Sequence, residues 1–422
     1  MRAAKLLLLS LCLYAEATAA AQPTFTRQQL EEDFDHLWQN ISDGYAYFDR
    51  KETDWNKVRE IYRPQIKNIT TVSEFVTFLE TVLEELYDFH THLNINRASS
   101  PRLVPSGADI WAEWVGGRAI ITEVRPNSTA DRAGLKAGMQ VASINGTSVD
   151  EAVRGRLGKS LRRSHLEARN WALRILLAGR RNEKRSIEVI SAGRRWLVSL
   201  DEQHSGGAEG VRPLLDHRRV GEDVGYIRIN NSLGNTELIR QFDAALAALR
   251  NTKGLILDLR DTPSGGNTTV ARGLMSRFIS RDMPYQKHSL PGEERLYGTK
   301  RSWIELVSPR GTFTYKAPVV VLVSHWTGSM GEGTAIGMDG MKRAKVVGTE
   351  MARLIGATSA IKLPHTGIGV TFPTERLFHV DGTPREEFVP PIYIDLLKSP
   401  SEGDAVFRAG LKTLRASIAR RR

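Results

Sequence analysis

Pro318-Val319-Val320-Val321-Leu322-Val323-Ser324-His325-Trp326-Thr327-Gly328-Ser329-Met330-Gly331-Glu332-Gly333-Thr334-Ala335-Ile336 is the stretch whose reading decides the fold. An unbroken run of apolar, largely β-branched residues predicts a buried strand, and the small residues after it lead into a helix. Working outward, Gly225-Tyr226-Ile227-Arg228-Ile229 predicts a strand, Thr236 to Leu249 a helix, Gly254 to Arg260 a buried strand and Thr268 to Phe278 a helix. Strands alternating with helices imply an α/β layered core, whose sites lie at the carboxyl ends of the strands. Ser329 stands at such an end. A serine on a strand-to-helix turn puts its hydroxyl where free N–H groups and the helix dipole favour a developing negative charge. The same placement also suits a plain N-cap.

A second turn adds to the first. Asp258-Leu259-Arg260-Asp261-Thr262-Pro263-Ser264-Gly265-Gly266-Asn267 follows a strand with adjacent glycines that let backbone N–H groups approach a substrate oxygen. The P-loop lysine pattern and the dinucleotide glycine spacing are both absent, which argues against a phosphate cradle. Asp258 and Arg260 read as a strand-end ion pair of the framework.

Upstream the pattern changes. From Thr26 to Tyr87 apolar residues recur at helical spacing (Leu30, Phe34, Leu37, Ile41; Phe75, Leu79, Val82, Leu86), which predicts a helical N-terminal unit. Asp88-Phe89-His90-Thr91-His92-Leu93-Asn94-Ile95-Asn96 then switches to a period of two and predicts a strand, on which His90 and His92 share a face. That spacing also suits a metal, but no third ligand cluster lies nearby in the sequence. Trp114 to Val124 reads as a hairpin turning at Gly116-Gly117, followed by a short helix closed by Gly134 and a strand turning at Asn145-Gly146. This middle stretch looks like the central part of a PDZ domain. That likeness implies capture of extended peptides by strand addition, or equally a structural spacer or lid.

At the start, Met1-Arg2-Ala3-Ala4-Lys5, an apolar stretch from Leu6 to Tyr14 and Ala19-Ala20-Ala21 read as a secretory signal peptide of residues 1–21. The expected units are then 22–100 (helical), 101–205 (PDZ-like) and 206–422 (α/β core). Cys12 is the only cysteine among 422 residues and falls within the leader, so a mature chain has no thiol nucleophile and no disulfide. After residue 22 no apolar run approaches the roughly 20 residues of a membrane span, and no stable membrane anchor is expected. The net charge of +11 comes from basic residues scattered through amphipathic sequence, as a solvated face requires, and an exported protein seldom meets nucleic acid.

The segments Gly225–Ile229, Gly254–Asp261, Gly265-Gly266, Gly328–Glu332 and Val346-Val347-Gly348 are together similar to the tail-specific protease family, over about residues 27 to 395. The family includes C-terminal processing peptidases, the tricorn core and retinoid-binding proteins of the retina. The resemblance implies a crotonase-like layered core with a helical N-terminal unit and an inserted PDZ-like domain. It makes Ser329 the nucleophile, with the N–H groups of Gly265 or Gly266 and of Met330 as the oxyanion hole. C-terminal processing members carry a lysine base in a Thr-x-Gly-Lys-Gly segment, and Leu354 stands at that position here. Tricorn-like members use a histidine of the N-terminal unit, which Asp88-Phe89-His90-Thr91 resembles, so His90 is the candidate base. An acidic residue late in the core would orient it: Glu386 or Glu387, with Glu386 preferred. The implied function is a serine peptidase acting on exported polypeptides in the periplasm or outside the cell. No cofactor or metal is implied, and a homo-oligomer is compatible with the resemblance. The alternative is a catalytically inactive binder of peptides or lipophiles on the same fold.

Overall fold

The computed structural model describes residues 25–201, 212–399 and 403–421. The expected leader, Cys12 and the expected 205/206 boundary lie outside the described residues.

Three helices open the chain: α1 (Arg27–Gly44), α2 (Trp55–Tyr62) and α3 (Val72–Glu84). Thr26 and Thr71 begin α1 and α3 with capping boxes closed by Gln29 and Glu74, each satisfying donors that a helix start leaves free. A strand, β1, covers only His92–Leu93, and His90 sits in the turn before it. The period of two around His90 therefore overstates the strand. Asp88 holds the segment in a turn instead, accepting the His90 N–H at 2.8 Å and the Thr91 hydroxyl at 2.6 Å, the local competition that short polar side chains offer an extended backbone.

The middle unit contains β2 (Ile110–Val115), β3 (Arg118–Val124), α4 (Thr129–Arg132), β4 (Gln140–Ile144), β5 (Thr147–Ser148), α5 (Val149–Arg156), α6 (Leu166–Ala178), β6 (Arg185–Ser191) and β7 (Arg194–Leu200). Its strands pair antiparallel in the order β2-β3-β4-β6-β7, with β5 on β4. Arg185, 3% exposed, joins Asp109 before the first strand to Asp201 after the last, both at 2.6 Å, so one buried cation ties the two ends of the unit together.

The last part contains β8 (Leu215–Val220), β9 (Val224–Ile229), α7 (Glu237–Ala248), β10 (Gly254–Asp258), α8 (Thr268–Met275), β11 (Met283–Ser289), α9 (Pro291–Tyr297), β12 (Ser302–Val307), β13 (Val319–Val323), α10 (Met330–Gly340), β14 (Ala344–Gly348), β15 (Ala357–Lys362), β16 (Gly369–Phe378), β17 (Ile392–Tyr393) and α11 (Ala405–Ala419). Its main sheet runs β17-β14-β13-β10-β9-β8, parallel except for β8. All five residues of β13 are buried. Val320 and Leu322 pack on the side of Val406 and Leu414 of α11, while Val319, Val321 and Val323 pack with Phe242, Leu274 and Ile336 of α7, α8 and α10. Helices on both faces explain why the strand shows no polar alternation.

A second sheet, β1-β16-β11-β12 with β15 on β16, binds the chain's beginning to its end. His92 and Leu93 pair with Thr371 and Val370, and Phe34, Leu79 and Leu83 share one core with Leu363, Val370 and Phe372. The helical N-terminal unit thus completes its core with strands from late in the sequence.

Candidate active site

The parallel sheet sets two turns side by side. Thr262, just after β10, bridges Thr327, just after β13; the Thr262 N–H donates to the Trp326 carbonyl at 3.1 Å, and the Gly328 N–H donates to the Thr262 carbonyl at 3.2 Å. Gly331 faces Thr262 so closely that a Cβ there would lie 2.3 Å from its hydroxyl oxygen. These contacts press the glycine turn against the start of α10, where Ser329 is the cap.

Ser329 has φ 49° and ψ −112°, a region that L-residues rarely adopt and that costs on the order of 1–3 kcal/mol. Gly265, at φ +65°, lies directly beside it: a Cβ at 265 would fall 2.4 Å from the Ser329 Cβ, 2.9 Å from its Oγ and 3.0 Å from the Met330 nitrogen. Glycine is required here for its conformation and for the close approach. The Gly265 N–H donates to the Thr262 carbonyl at 3.0 Å within its own turn. That bond engages the Gly265 N–H within the turn, beside the expected donors Gly266 and Met330.

His90 donates from Nδ1 to the Ile355 carbonyl at 2.9 Å, which fixes the tautomer with Nε2 free to accept. Burial, and next the nearby Arg385 cation, lowers its pKa to about 4. The residue is only partly buried, which tempers the desolvation, but both causes favour the neutral imidazole. Among the described residues no hydrogen bond joins His90 to Ser329; such bonds are often long before substrate binds and tighten with it. The two are linked through Arg385, which donates to the Ser329 carbonyl at 3.3 Å and to the carbonyls of Leu354 and Gly356, on either side of Ile355, at 2.7 and 3.0 Å.

Among the described residues no hydrogen bond joins Glu386 to His90. Glu386 Oε1 accepts from Arg50 at 2.7 Å, Glu387 accepts from the same guanidinium at 2.6 Å, and Glu386 Oε2 is buried with no partner. The hydrogen bond that orients the imidazole goes to a backbone carbonyl, that of Ile355. Sequence reasoning missed this carbonyl, which leaves no residue signature. It also missed Asp88 as the backbone anchor of His90, although the Asp-x-His spacing is that of a side chain capping the N–H two residues on. Leu354, at the lysine position of the C-terminal processing pattern, is buried with Trp326 and Ala352.

A cavity of about 420 Å³ adjoins the site, walled by Arg50, Trp114, Trp171, Arg353, Ile355 and Glu386 among others. Four parts of the chain meet there: the N-terminal unit, the α6 and β2 side of the middle unit, the 352–355 segment and the Glu386-Glu387 turn. Asp258 and Arg260 pair at 2.6 Å, and Arg260 reaches Asp404 at 2.7 Å, so this pair pins α11 to the sheet end as framework. Among the described residues no group of three or more His, Cys, Asp or Glu side chains is arranged to hold a metal ion, and no helix is long and apolar enough to cross a membrane.

Residues 223–392 match the model of peptidase family S41, and residues 26–84 match the tricorn protease C1 domain. The segment 223–392 belongs to peptidase family S41, that of the tail-specific proteases. The chain is a serine peptidase. Among its relatives in the family, the carboxyl-terminal-processing protease of Synechocystis sp. is 24% identical, the match covering 90% of this chain and 86% of that protein. Two solved structures share the fold of this tail-specific protease. The photosystem II D1 C-terminal processing protease has a TM-score of 0.56 at 18% identity, covering 91% of this chain and 97% of that one. Mature CPAF has a TM-score of 0.60 at 14% identity, covering 93% and 96%.

Proposed function

We propose that this peptidase cleaves exported polypeptides through Ser329 as nucleophile and His90 as general base. The observation that carries the reading is the strained backbone of Ser329 at the head of α10, held against Gly265. A serine serving only as an N-cap takes an ordinary extended conformation, so the strain calls for another reason, and exposing a hydroxyl on a sharp strand-to-helix turn is one. A non-catalytic binder has no use for it.

In this reading Ser329 Oγ forms a bond to the scissile carbonyl carbon while its proton passes to His90 Nε2. The N–H groups of Gly266 and Met330 receive the oxyanion. Collapse breaks the C–N bond, Nε2 returns the proton to the leaving amine, and water hydrolyses the acyl-enzyme with His90 again as base. A neutral imidazole is the form that can accept the first proton, and the low pKa keeps it neutral throughout the physiological range. The 420 Å³ cavity then receives one arm of the substrate.

The middle unit serves as a wall of that cavity. Strand addition at β2 would need its edge groups, but Asn170 of α6 accepts the Trp114 N–H at 2.9 Å and Arg174 donates to the Ala112 carbonyl at 3.2 Å. The edge is satisfied from within. Export follows from the leader-like start of the sequence.

The test is labelling by a fluorophosphonate probe together with hydrolysis of fluorescein-labelled casein. Wild type is expected to label and cleave, while Ser329→Ala and His90→Ala lose cleavage by roughly 10⁴-fold or more. Turnover surviving in Ser329→Ala would remove the serine from the mechanism.

A further inference from the structure

Ser329 and Arg353 share an unusual property: both are non-glycine residues at positive φ, 49° and 57°. Their N–H groups converge on one carboxylate. Glu332, fully buried in the first turn of α10, accepts from Ser329 through Oε2 at 2.8 Å and from Arg353 through Oε1 at 2.9 Å. Arg385, 3% exposed, lies 3.9 Å from Glu332 and donates to the carbonyls of Ser329, Leu354 and Gly356. Between the last two stands the Ile355 carbonyl that holds the His90 ring. The nucleophile turn is thus gripped at its N–H by the acid and at its carbonyl by the base, and both grips extend to the segment on which the imidazole rests.

We infer that Glu332 and Arg385 are positioning residues for peptide hydrolysis, a bracket that holds the Ser329 turn in register with the 353–356 segment and hence with His90. The inference rests on the reading of Ser329 and His90 as nucleophile and base. A simple helix-start acid needs only the free donors of its own helix. It does not account for the bond to Arg353, 21 residues on, nor for a wholly buried site, which is unfavourable for a carboxylate unless it is compensated. Two backbone donors and a guanidinium supply the compensation, and all three belong to the machinery's supports.

Two variants probe the bracket. Glu332→Gln keeps the size but has one acceptor oxygen for two N–H groups, so one grip is lost. Arg385→Lys keeps the charge but cannot fork to three carbonyls. Because a misplacement of about 1 Å costs on the order of 10²-fold in rate, kcat on fluorescein-labelled casein is expected to fall about 10²-fold in Glu332→Gln and about tenfold in Arg385→Lys. KM should stay within about twofold, and the fluorophosphonate labelling rate of Ser329 should fall in parallel. An unchanged kcat in a folded variant, even with a lowered Tm, overturns the bracket, as does a change confined to KM. Should Glu332→Gln fail to fold, Arg385→Lys decides alone. Ser329→Ala, run beside them, separates the two failures: its retained turnover removes the underlying reading, whereas its inactivity with a fully active Arg385→Lys removes only the bracket.

Discussion

The turn that carries Ser329 and the turn that carries His90 are built on opposite plans. Ser329 is placed by its own neighbourhood in the chain: a buried strand stops, a helix starts, and the strain between them is held by a glycine from the adjacent strand's turn. His90 is placed by distant backbone, since its ring leans on the Ile355 carbonyl, 265 residues away, and only its N–H is held locally, by Asp88. The first plan fixes the nucleophile's backbone conformation at the strand-to-helix turn itself, with distant groups adding only its register. The second makes a base whose geometry depends on how the late segment 353–356 is seated.

Substitution at each support should separate the plans. The largest effect is expected for Gly265→Ala. The added methyl meets Ser329 Cβ at 2.4 Å, and alanine at positive φ costs a further roughly 1–2 kcal/mol. Activity should fall by roughly 10²–10³-fold, the size seen when a nucleophile or an oxyanion donor is displaced, with a measurable drop in Tm. Activity within a few-fold of wild type would show the Ser329 turn to be more pliant than argued. Asp88→Ala is expected to act less, about tenfold on kcat, because it removes one charge-assisted hydrogen bond to the His90 backbone, about 1.5–3 kcal/mol at most, while the ring keeps its carbonyl. An Asp88→Ala loss as large as that of His90→Ala would mean that the local turn, not Ile355, sets the base.

The same contrast explains what could be read from the sequence. The β13 run, the Gly265-Gly266 turn and Ser329 are local patterns, and the structure puts Gly265 against the Ser329 side chain. The hairpin of β11 with β12 and the long β16 are not read from the sequence. Polar residues such as Gln286 and His288 sit on buried positions of β11, while the apolar Ile304 and Leu306 of β12 are exposed, which blurs the alternation that reveals a half-buried strand. Without β16 the N-terminal helices seem self-contained, whereas Val370 and Phe372 close their core. The orienting partner of His90 was equally hidden, because a carbonyl belongs to every residue and only the fold selects which one points at the ring. Glu386 carries the right chemistry for that role, and its Oε1 is taken up by Arg50.

The smallest expected effect is also the most specific in sign. Burial raises the pKa of Glu332 to about 7, against the pull of Arg385 and of the Ser329 and Arg353 N–H groups and with a contribution from Glu386; burial and Arg385 lower that of His90 to about 4. From pH 4.5 to 7 the folded state binds more protons at Glu332 than the unfolded chain does, so this group's contribution to stability declines as pH rises. From pH 4 to 6.5 the unfolded chain binds more protons at His90, so its contribution grows as pH rises. Each slope is at most about 1.4 kcal/mol per pH unit, and in the shared window they oppose each other. Urea unfolding at pH 5 and 6.5 should therefore show little net change from this pair in wild type. Glu332→Gln should gain stability with rising pH relative to wild type, and His90→Gln should lose it. Parallel pH dependences in all three proteins would mean that neither group changes its proton affinity on folding. The two plans would then differ in geometry alone, with no electrostatic counterpart.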